Sequence, residues 1–537
     1  MRQPGLAGAV YIAGLVLASC NAAPPAGQSC TSGAVCPALT KEQLMDPVVC
    51  SGCHQSYYDD WSASMHAYAA DDPLFIAMNQ RGQDQAQVGT FCVNCHAPMA
   101  VRLGLTTDGT NLASLPQSMK GVTCYYCHTT DAVLDSHTFV SGEGGFDFDA
   151  GLGVDASAIY DDSLRFANDG VMRGSYSNPV PNVAHASAYS TLHDGTHLES
   201  AQLCGACHDV VNAHGAEIEA TYHEWTQTLY DNTSGGNTCG QCHMHKSTGI
   251  AATVQGAPAR AIHEHKFPGV DTPLAPAPGV TAAAAGAQQQ AVQTFLSTEL
   301  AMSLCVRGIP GGSSASLFVV LDNVASGHRW PSGAAQDRRA WVEIHASVAG
   351  ASIYESGVVP AGTDPTDLSD PDLWLLRECM LDSQGGVVHT FWDAYSSDSN
   401  ELPGPVTSNP LDPGFYQTHV MQTYPRASST MLTAYPDTAT AEVHLLAFPP
   451  DLFDDLFATP AEIGLTADAV QALRSNLTPV TIGSPITWTQ DAANDAGGGG
   501  SFYFDQGIPV FCVSTGGLNP QANKVPAQPH SSPACKP

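Results

Sequence analysis

The chemically most distinctive residues of the chain are pairs of cysteines, each followed at once by a histidine. The pattern Cys-x-x-Cys-His occurs five times in 537 residues. Two thiols at this spacing can form thioether bonds to both vinyl groups of one porphyrin, and the next residue then supplies the proximal nitrogen to the iron. The motifs are Cys50/Cys53/His54, Cys92/Cys95/His96, Cys124/Cys127/His128, Cys204/Cys207/His208 and Cys239/Cys242/His243. The pattern predicts five covalently bound haem c groups.

A thioredoxin-like redox pair and a zinc site are the alternative readings of a Cys-x-x-Cys pair. One copy would leave both alternatives open. Composition alone predicts roughly a few hundredths of one Cys-x-x-Cys-His copy in a chain of this length. Five copies, every one ending in histidine, therefore favour haem attachment over either alternative.

The second axial ligand of each iron decides between electron transfer and catalysis. Histidine on both faces saturates the iron, whereas an open face permits substrate binding. Five of the 21 histidines lie in the motifs, which leaves sixteen for five positions. Each of them has a surface or hydrogen-bonded role as its alternative. Ten lie between residues 66 and 265: His66, His137, His185, His193, His197, His214, His223, His245, His263 and His265. Histidine ligation on both faces is therefore feasible, with a methionine as the other possible sixth ligand.

The N-terminus has the features of an export signal. Arg2 precedes an apolar run that is too short to span a bilayer, which predicts a signal peptide at residues 1–19. The run ends in Leu17-Ala18-Ser19-Cys20, which resembles a bacterial lipobox and predicts lipidation of Cys20. Residues 20–40 would then form a lipidated tether, and Asn21 favours the outer membrane by resemblance to Gram-negative lipoproteins. A simple signal peptide with an incidental cysteine is the alternative.

Six further cysteines stand outside the motifs and the lipobox. An exported chain meets an oxidising compartment, so up to three disulfides are expected without a choice among the pairings. These cysteines are Cys30, Cys36, Cys305, Cys379, Cys512 and Cys535.

The charge balance restricts the partners. The formal net charge is −32, which repels nucleic acid and anionic lipid and could steer the protein toward a basic redox partner. Acidity that simply keeps an exported protein soluble is the alternative. We expect redox partner proteins, such as a quinol-oxidising complex or an outer-membrane electron conduit, no nucleic acid, and membrane attachment by the lipid anchor only.

The chain divides by composition into two main parts. Residues 41–270 hold all five motifs, roughly 45 residues for each haem, and predict a mainly α-helical and irregular pentahaem cytochrome c domain. Residues 271–299 are expected to be a linker that leads into a short helix. Residues 300–515 predict an all-β, sandwich-like domain from strand patterns such as Leu317–Leu321 and Trp341–His345. A helix is expected within Pro460–Leu473, capped by Thr459. Residues 516–537 form a tail.

At this point the chain resembles a known family, the bacterial multihaem c-type cytochromes related to the tetrahaem electron carrier of nitrifiers. The resemblance covers most of residues 48–270. It rests on Trp61-x-x-Ser64-x-His66, on the sequences around the third, fourth and fifth motifs, on Glu224-Trp225, and on His265-Lys266-Phe267-Pro268-Gly269. It implies haems with two histidine ligands in stacked and angled pairs. The distal ligands it implies are His66, His185, His197 and His265, with His137 as the fifth choice.

The C-terminal part resembles a domain attached to some of these cytochromes. The matching segment includes Gly327-His328-Arg329-Trp330-Pro331-Ser332-Gly333. His328 lies on a Gly/Pro turn and could reach back to cap a haem, or it could bond to its own loop. The tetrahaem member of the family has four motifs and lacks this domain.

Three functions remain from the sequence. The first is an electron carrier, with no catalytic residues, in an anaerobic or extracellular respiratory chain. The second is a reductase of a small nitrogen compound or other oxyanion, which requires one open haem. The third is a partner-binding or filament-forming haem protein. The surplus of histidines favours the carrier.

Overall fold

The structure is a computed structural model that describes residues 38–130, 133, 171–181, 184–232, 235–254, 256–323, 325–426, 431–459, 464–521, 524–527 and 535. The predicted signal peptide, Cys20, Cys30, Cys36 and His137 lie outside these residues. Within the described part of the chain, no helix has both the length and the apolar character needed to cross a membrane.

The N-terminal part is built mainly from short helices, as predicted. Its helices are α1 Lys41–Leu44, α2 Pro47–Ser62, α3 Met65–Tyr68, α4 Pro73–Ala86, α5 Val93–His96, α6 Pro98–Arg102, α7 Cys124–Thr129, α8 Glu199–Gly205, α9 Thr221–Thr226 and α10 Cys239–His243. Three two-stranded sheets complete this part: β1 Val171–Gly174 with β2 Ala186–Tyr189, β3 Val210–Val211 with β4 Glu217–Glu219, and β5 Lys246–Ile250 with β6 Ala259–His263.

The haem motifs lie on or beside these helices, and local sequence explains where three of the helices begin. Asp46 caps α2 by accepting a hydrogen bond from the backbone N–H of Val48, and Pro47 occupies the first turn. Thr123 caps α7 in the same way. Thr238 and Gln241 form a capping box at α10. The first, third and fifth Cys-x-x-Cys-His sequences therefore lie on capped helices.

The C-terminal part is rich in β-strands, as predicted. Its strands are β7 Ala301–Gly308, β8 Ala315–Asp322, β9 Arg339–Val348, β10 Ala351–Ser356, β11 Trp374–Leu376, β12 Glu378–Leu381, β13 Val387–Val388, β14 Ser396–Ser399, β15 His419–Tyr424, β16 Thr438–Leu446, β17 Val480–Thr489, β18 Gly500–Asp505, β19 Ile508–Ser514 and β20 Val525–Pro526. One sheet has the order β18-β19-β7-β8-β15-β20 and a second has β10-β9-β16-β17, with β11 also on β9. A third sheet has the order β13-β12-β14.

The two large sheets share one hydrophobic core. Leu304 and Val319 of the first sheet and Val342 and Val443 of the second are fully buried in it. Cross-links reinforce this part of the chain. Cys305 of β7 bonds to Cys512 of β19 within one sheet, and Cys379 of β12 bonds to Cys535 near the C-terminus. Two of the expected disulfides are thus present among the described cysteines.

The segment between the two parts contains a helix. Residues 271–299 were expected to be a linker, and α11, Ala282–Leu296, occupies more than half of it. Thr281 caps this helix, while Val292 and Leu296 are buried in the core of the β-rich part. The remaining helices are α12 Pro450–Leu456, α13 Ala467–Ser475 and α14 Gln490–Asn494. Within the range expected to hold a helix, 460–473, the described residues contain the start of α13, which is capped by Thr466. The predicted cap Thr459 precedes residues 460–463, which lie outside the described residues.

The two parts pack directly against each other through a second apolar cluster. Met78 and Phe91 of the N-terminal part meet Trp392, Phe453 and Leu456 of the C-terminal part. Because this interface is buried and apolar, the β-rich part is fixed against the haem-motif part.

Candidate haem-binding site

One large cavity joins all five motifs. Its volume is about 1720 Å³, and every cysteine and histidine of the five Cys-x-x-Cys-His sequences lines it. Pockets for a single small ligand are typically about 300–1,000 Å³. This cavity therefore has room for several large ligands, and its donors are thiols and imidazoles, the groups that attach and ligate haem c. The residues present fit the predicted cofactor.

Backbone carbonyl groups hold four of the five motif histidines in one tautomer. In four of them Nδ1 must carry the proton, because its partner is a carbonyl oxygen that only accepts. The Nε2 lone pair is then left for a metal. The distances are His54 Nδ1 to Ala251 O, 2.7 Å; His96 Nδ1 to Ala69 O, 3.0 Å; His128 Nδ1 to Arg173 O, 2.6 Å; and His243 Nδ1 to Pro268 O, 2.7 Å. In the fifth, His208, Nδ1 lies 4.0 Å from Glu219 Oε1.

Three motif histidines face a second histidine at one common spacing. Two imidazoles bound to opposite faces of one iron, each through a metal–nitrogen bond of about 2 Å, place their ring centroids about 6 Å apart. The observed pairs are His54 with His185, His128 with His265, and His208 with His66, each with 6.3 Å between centroids. Their interplanar angles are 29°, 24° and 52°. Three of the sequence-predicted distal residues are therefore brought to the spacing that a shared iron requires.

His328 reaches the same cavity from the C-terminal part. Its ring lines the cavity, and its Nδ1 donates to the backbone oxygen of Arg329 at 2.6 Å, which leaves Nε2 available. Burial, together with a smaller contribution from the neighbouring His328, lowers the pKa of His243 to about 4. The turn predicted from the sequence thus brings a histidine of the β-rich part close to the fifth motif.

The second motif has a different neighbour. The ring of Phe75 stacks on His96 with 4.0 Å between centroids and an angle of 4°. The remaining distal candidate, His137, lies outside the described residues. Within the described part of the chain, no distal histidine is therefore assigned to His96.

The structure does not bring His197 into the cavity. Its side chain is 49% exposed, and its Nε2 bonds to the Tyr189 hydroxyl at 3.0 Å. The sequence prediction of a ligand at this position has no support from its placement. His193 lines the cavity instead and stacks on His128, with 5.6 Å between centroids. Its Nε2–H donates a hydrogen bond to Cys127 O at 2.7 Å, and this contact supports the third motif. No local sequence signal indicates the contact.

Burial favours the neutral form of three histidines that line the cavity. It lowers the pKa of His66 to about 3, of His265 to about 3 and of His96 to about 4. A neutral imidazole has a free lone pair at neutral pH, whereas a protonated imidazole cannot ligate a metal. The imidazoles of these three histidines are therefore able to bind a metal throughout the physiological pH range.

Contacts between thiols of different motifs define which attachment sites are neighbours. The thiol of Cys50 lies beside that of Cys124, Cys95 lies beside Cys207, and Cys204 lies beside Cys239. Cys127 is also close enough to Cys204 and Cys207 for their charges to raise its pKa. The first site therefore adjoins the third, the third adjoins the fourth, and the fourth adjoins both the second and the fifth.

Comparison with known proteins agrees with this chemistry. Residues 49–129 match the family model described as cytochrome c554 and c-prime. The structure is similar to the crystal structure of a penta-heme cytochrome c552 from Thermochromatium tepidum, with a TM-score of 0.51 and 18% sequence identity. The similarity covers 83% of this chain and 99% of that one. The search of curated proteins gave no match. These comparisons support the class of multihaem c-type cytochrome, with covalently bound haem and a general role in electron transfer.

Proposed function

We propose that the protein is an exported electron carrier that moves electrons through five haem c groups, most of them held between two histidines. The observation that carries this proposal is the 6.3 Å spacing shared by three histidine pairs. Haem supplies one-electron chemistry between ferric and ferrous iron. Saturated axial positions leave no place for a substrate at those irons, which favours transfer over catalysis.

The proposed axial sets follow from the contacts. His54 pairs with His185, His128 with His265, and His208 with His66. His243 pairs with His328, the histidine of the β-rich part whose charge lowers the pKa of His243. His137 is proposed for His96. The backbone carbonyls opposite Nδ1 fix the orientation of the rings, and such partners raise ligand basicity.

The proposed route for electrons follows the neighbouring attachment sites. The path runs from the first site to the third, the fourth and the fifth, and the second site joins at the fourth. This order is not the order of the motifs along the chain. We further propose that Cys20 carries the lipid anchor at the outer membrane, and that the acidic surface engages a basic redox partner in a respiratory chain.

A reductase is the second candidate, and one observation favours it. The ring stacked on His96 within the described residues is that of Phe75, which cannot ligate iron. If His137 does not complete this site, one iron in five is open to a small ligand.

Intact-mass measurement and low-temperature EPR of the full-length holoprotein test both candidates. The carrier predicts five haem masses on the polypeptide and low-spin signals only. One high-spin iron that binds cyanide or nitrite would replace the carrier with the reductase. An unmodified polypeptide from a host able to mature cytochromes would contradict both.

A further inference from the structure

Three glutamates from different elements, two with buried side chains and one half-buried, lie together where the haem-motif part meets the β-rich part. Glu224 belongs to α9, Glu378 to β12, and Glu401 follows β14. The side chain of Glu401 is 2% exposed, and Glu224 is also buried. Arg329 is the cation that acts on all three, and its Nη1 lies 4.0 Å from Glu401 Oε2. One guanidinium, itself 40% exposed, therefore faces three carboxyl groups.

One buried carboxylate oxygen of the cluster has no hydrogen-bond partner among the described residues. Glu224 Oε2 accepts from Arg329 N at 3.2 Å and from Ser332 Oγ at 2.8 Å. Glu401 Oε2 accepts from Ser399 Oγ at 2.7 Å. Glu401 Oε1 is buried and has no hydrogen-bond partner among the described residues. A buried, unpaired charge is unfavourable, so this oxygen indicates a group that holds a proton.

Electrostatics supports the same reading. Burial raises the pKa of Glu224 to about 7 and of Glu378 to about 7. Burial also raises the pKa of Glu401, and the charges of Glu224 and Glu378 add to the rise. The cluster therefore exchanges protons near neutral pH.

The other charged groups near the cluster come from β4 and α9. Glu217 raises the pKa of Glu378, and Glu219 raises that of Glu224. The ring of His223 lies 2.9 Å from Glu217 and is the further titratable group on this side. The carboxylates of Glu217 and Glu219 add negative charge, so they strengthen the preference of the cluster for a bound proton.

A short chain of contacts links the cluster to the wall of the haem cavity. Ser332 donates a hydrogen bond to Glu224 and also lines the cavity. Thr221 lines the cavity too, and its hydroxyl is 2.8 Å from that of Ser332. Arg329, whose backbone N–H donates to Glu224, directly follows His328. A change of charge at the site of His243 and His328 therefore changes the electrostatic potential at the cluster.

We propose that the cluster of Glu224, Glu378 and Glu401 takes up a proton when an electron reaches the haem site of His243 and His328. This inference rests on the proposed function. The electron comes from the redox partner and reduces ferric to ferrous iron, and the proton comes from water and binds to a carboxylate of the cluster. On oxidation both leave. The protein thus couples electron transfer to proton uptake.

The direction of the pH dependence follows from this balance. An added electron makes the site more negative, which stabilises the protonated carboxyl. Raising the pH removes that proton, so reduction becomes harder and the midpoint potential falls. Full coupling of one proton to one electron gives a fall of about 59 mV for each tenfold decrease in proton concentration.

Potentiometric titration of the full-length holoprotein, followed optically from about pH 5 to about pH 9, tests the proposal across the range in which the carboxyls titrate. We expect one haem whose potential falls with pH, and a clearly smaller slope in Glu401→Gln and Glu378→Gln. The control is Glu442→Gln on β16, away from the cluster, which should keep the wild-type slope. The proposal would be overturned if the slope of potential against pH were the same in Glu401→Gln, Glu378→Gln and Glu442→Gln.

A second measurement does not depend on the variants folding. The redox infrared difference spectrum of the wild-type protein should gain a carboxylic acid C=O band on reduction. Absence of that band overturns the proposal even if Glu401→Gln fails to fold. Five haem masses and low-spin EPR together with potentials that do not change with pH would refute the proton coupling alone. Loss of the haem masses would refute the proposed function itself.

Discussion

The rings of His128 and His265 lie 6.3 Å apart, centroid to centroid, with their planes 24° from parallel. His128 belongs to the third haem motif, while His265 follows β6, far along the chain. Backbone carbonyls orient both rings, from Arg173 for His128 and from His263 for His265. A spacing that one iron can bridge is thus produced by two remote segments, each held by its own hydrogen bond.

Replacing His265 with alanine should open one iron without removing its haem. The proximal His128 and both thioether cysteines remain, so the haem stays attached while its distal face is free. We expect one new high-spin EPR signal and an unchanged intact mass. His197→Ala is the matched control, because that side chain is half exposed and bonded to Tyr189, and its spectrum should stay low-spin. A new high-spin signal in His197→Ala and none in His265→Ala would contradict the proposed pairing of His128 with His265.

Removing both thiols of the fifth motif should remove one haem. In Cys239→Ser/Cys242→Ser the vinyl groups of one porphyrin have no thiol partner, so the intact mass should fall by one haem. The control is Cys305→Ala/Cys512→Ala, which also removes two cysteines but breaks a disulfide. It should keep every haem and lower the free energy of unfolding by about 2–5 kcal/mol. An unchanged haem count in the first variant would show that this motif carries no haem.

The buried carboxyl of Glu299 should make stability depend on pH. It accepts a hydrogen bond from Trp330 Nε1 at 2.7 Å, and burial raises its pKa to about 7, against about 4.3 for an unfolded chain. Between these values the folded state binds more protons than the unfolded state, so the free energy of unfolding falls as the pH rises and levels off above pH 7.

Glu299→Gln should remove this slope. Relative to wild type, the variant should gain roughly 2–3 kcal/mol in free energy of unfolding between about pH 5 and about pH 8. Denaturant unfolding at the two pH values measures the difference. If Glu299→Gln changed the free energy of unfolding by the same amount at both pH values, Glu299 would not titrate in this range.

Gly82 of α4 should tolerate no side chain. A Cβ atom there would lie 2.9 Å from Trp392 Cζ3 and 3.0 Å from Val88 Cγ2, inside the interface between the two parts. We expect Gly82→Ala to lower the free energy of unfolding by about 1–3 kcal/mol through overpacking. Gly286 of α11 has no atom within 4 Å of its Cβ position, and Gly286→Ala should raise stability by up to about 1 kcal/mol. Similar gains in both variants would contradict a tight interface at Trp392.

Prediction from the sequence succeeded where the signal was local. The part of the chain that holds the motifs was predicted to be mainly helical and irregular, and it is built mainly from short helices, while the strand pattern of Trp341–His345 lies within β9. At 271–299 the sequence predicted a linker leading into a short helix, whereas the helix Ala282–Leu296 occupies more than half of the segment. Tertiary packing of Val292 and Leu296 stabilises that helix, and packing is not visible in composition.

The sequence by itself determined the chemistry of attachment. A cysteine pair and the histidine beside it are neighbours along the backbone, so their spacing alone predicts five haem attachment sites and five proximal nitrogens. Only the tertiary structure decided which histidine faces which motif, because that choice depends on where remote loops cross the cavity. It selected His185, His265 and His66, admitted His328 from the other part of the chain, and left His197 at the surface.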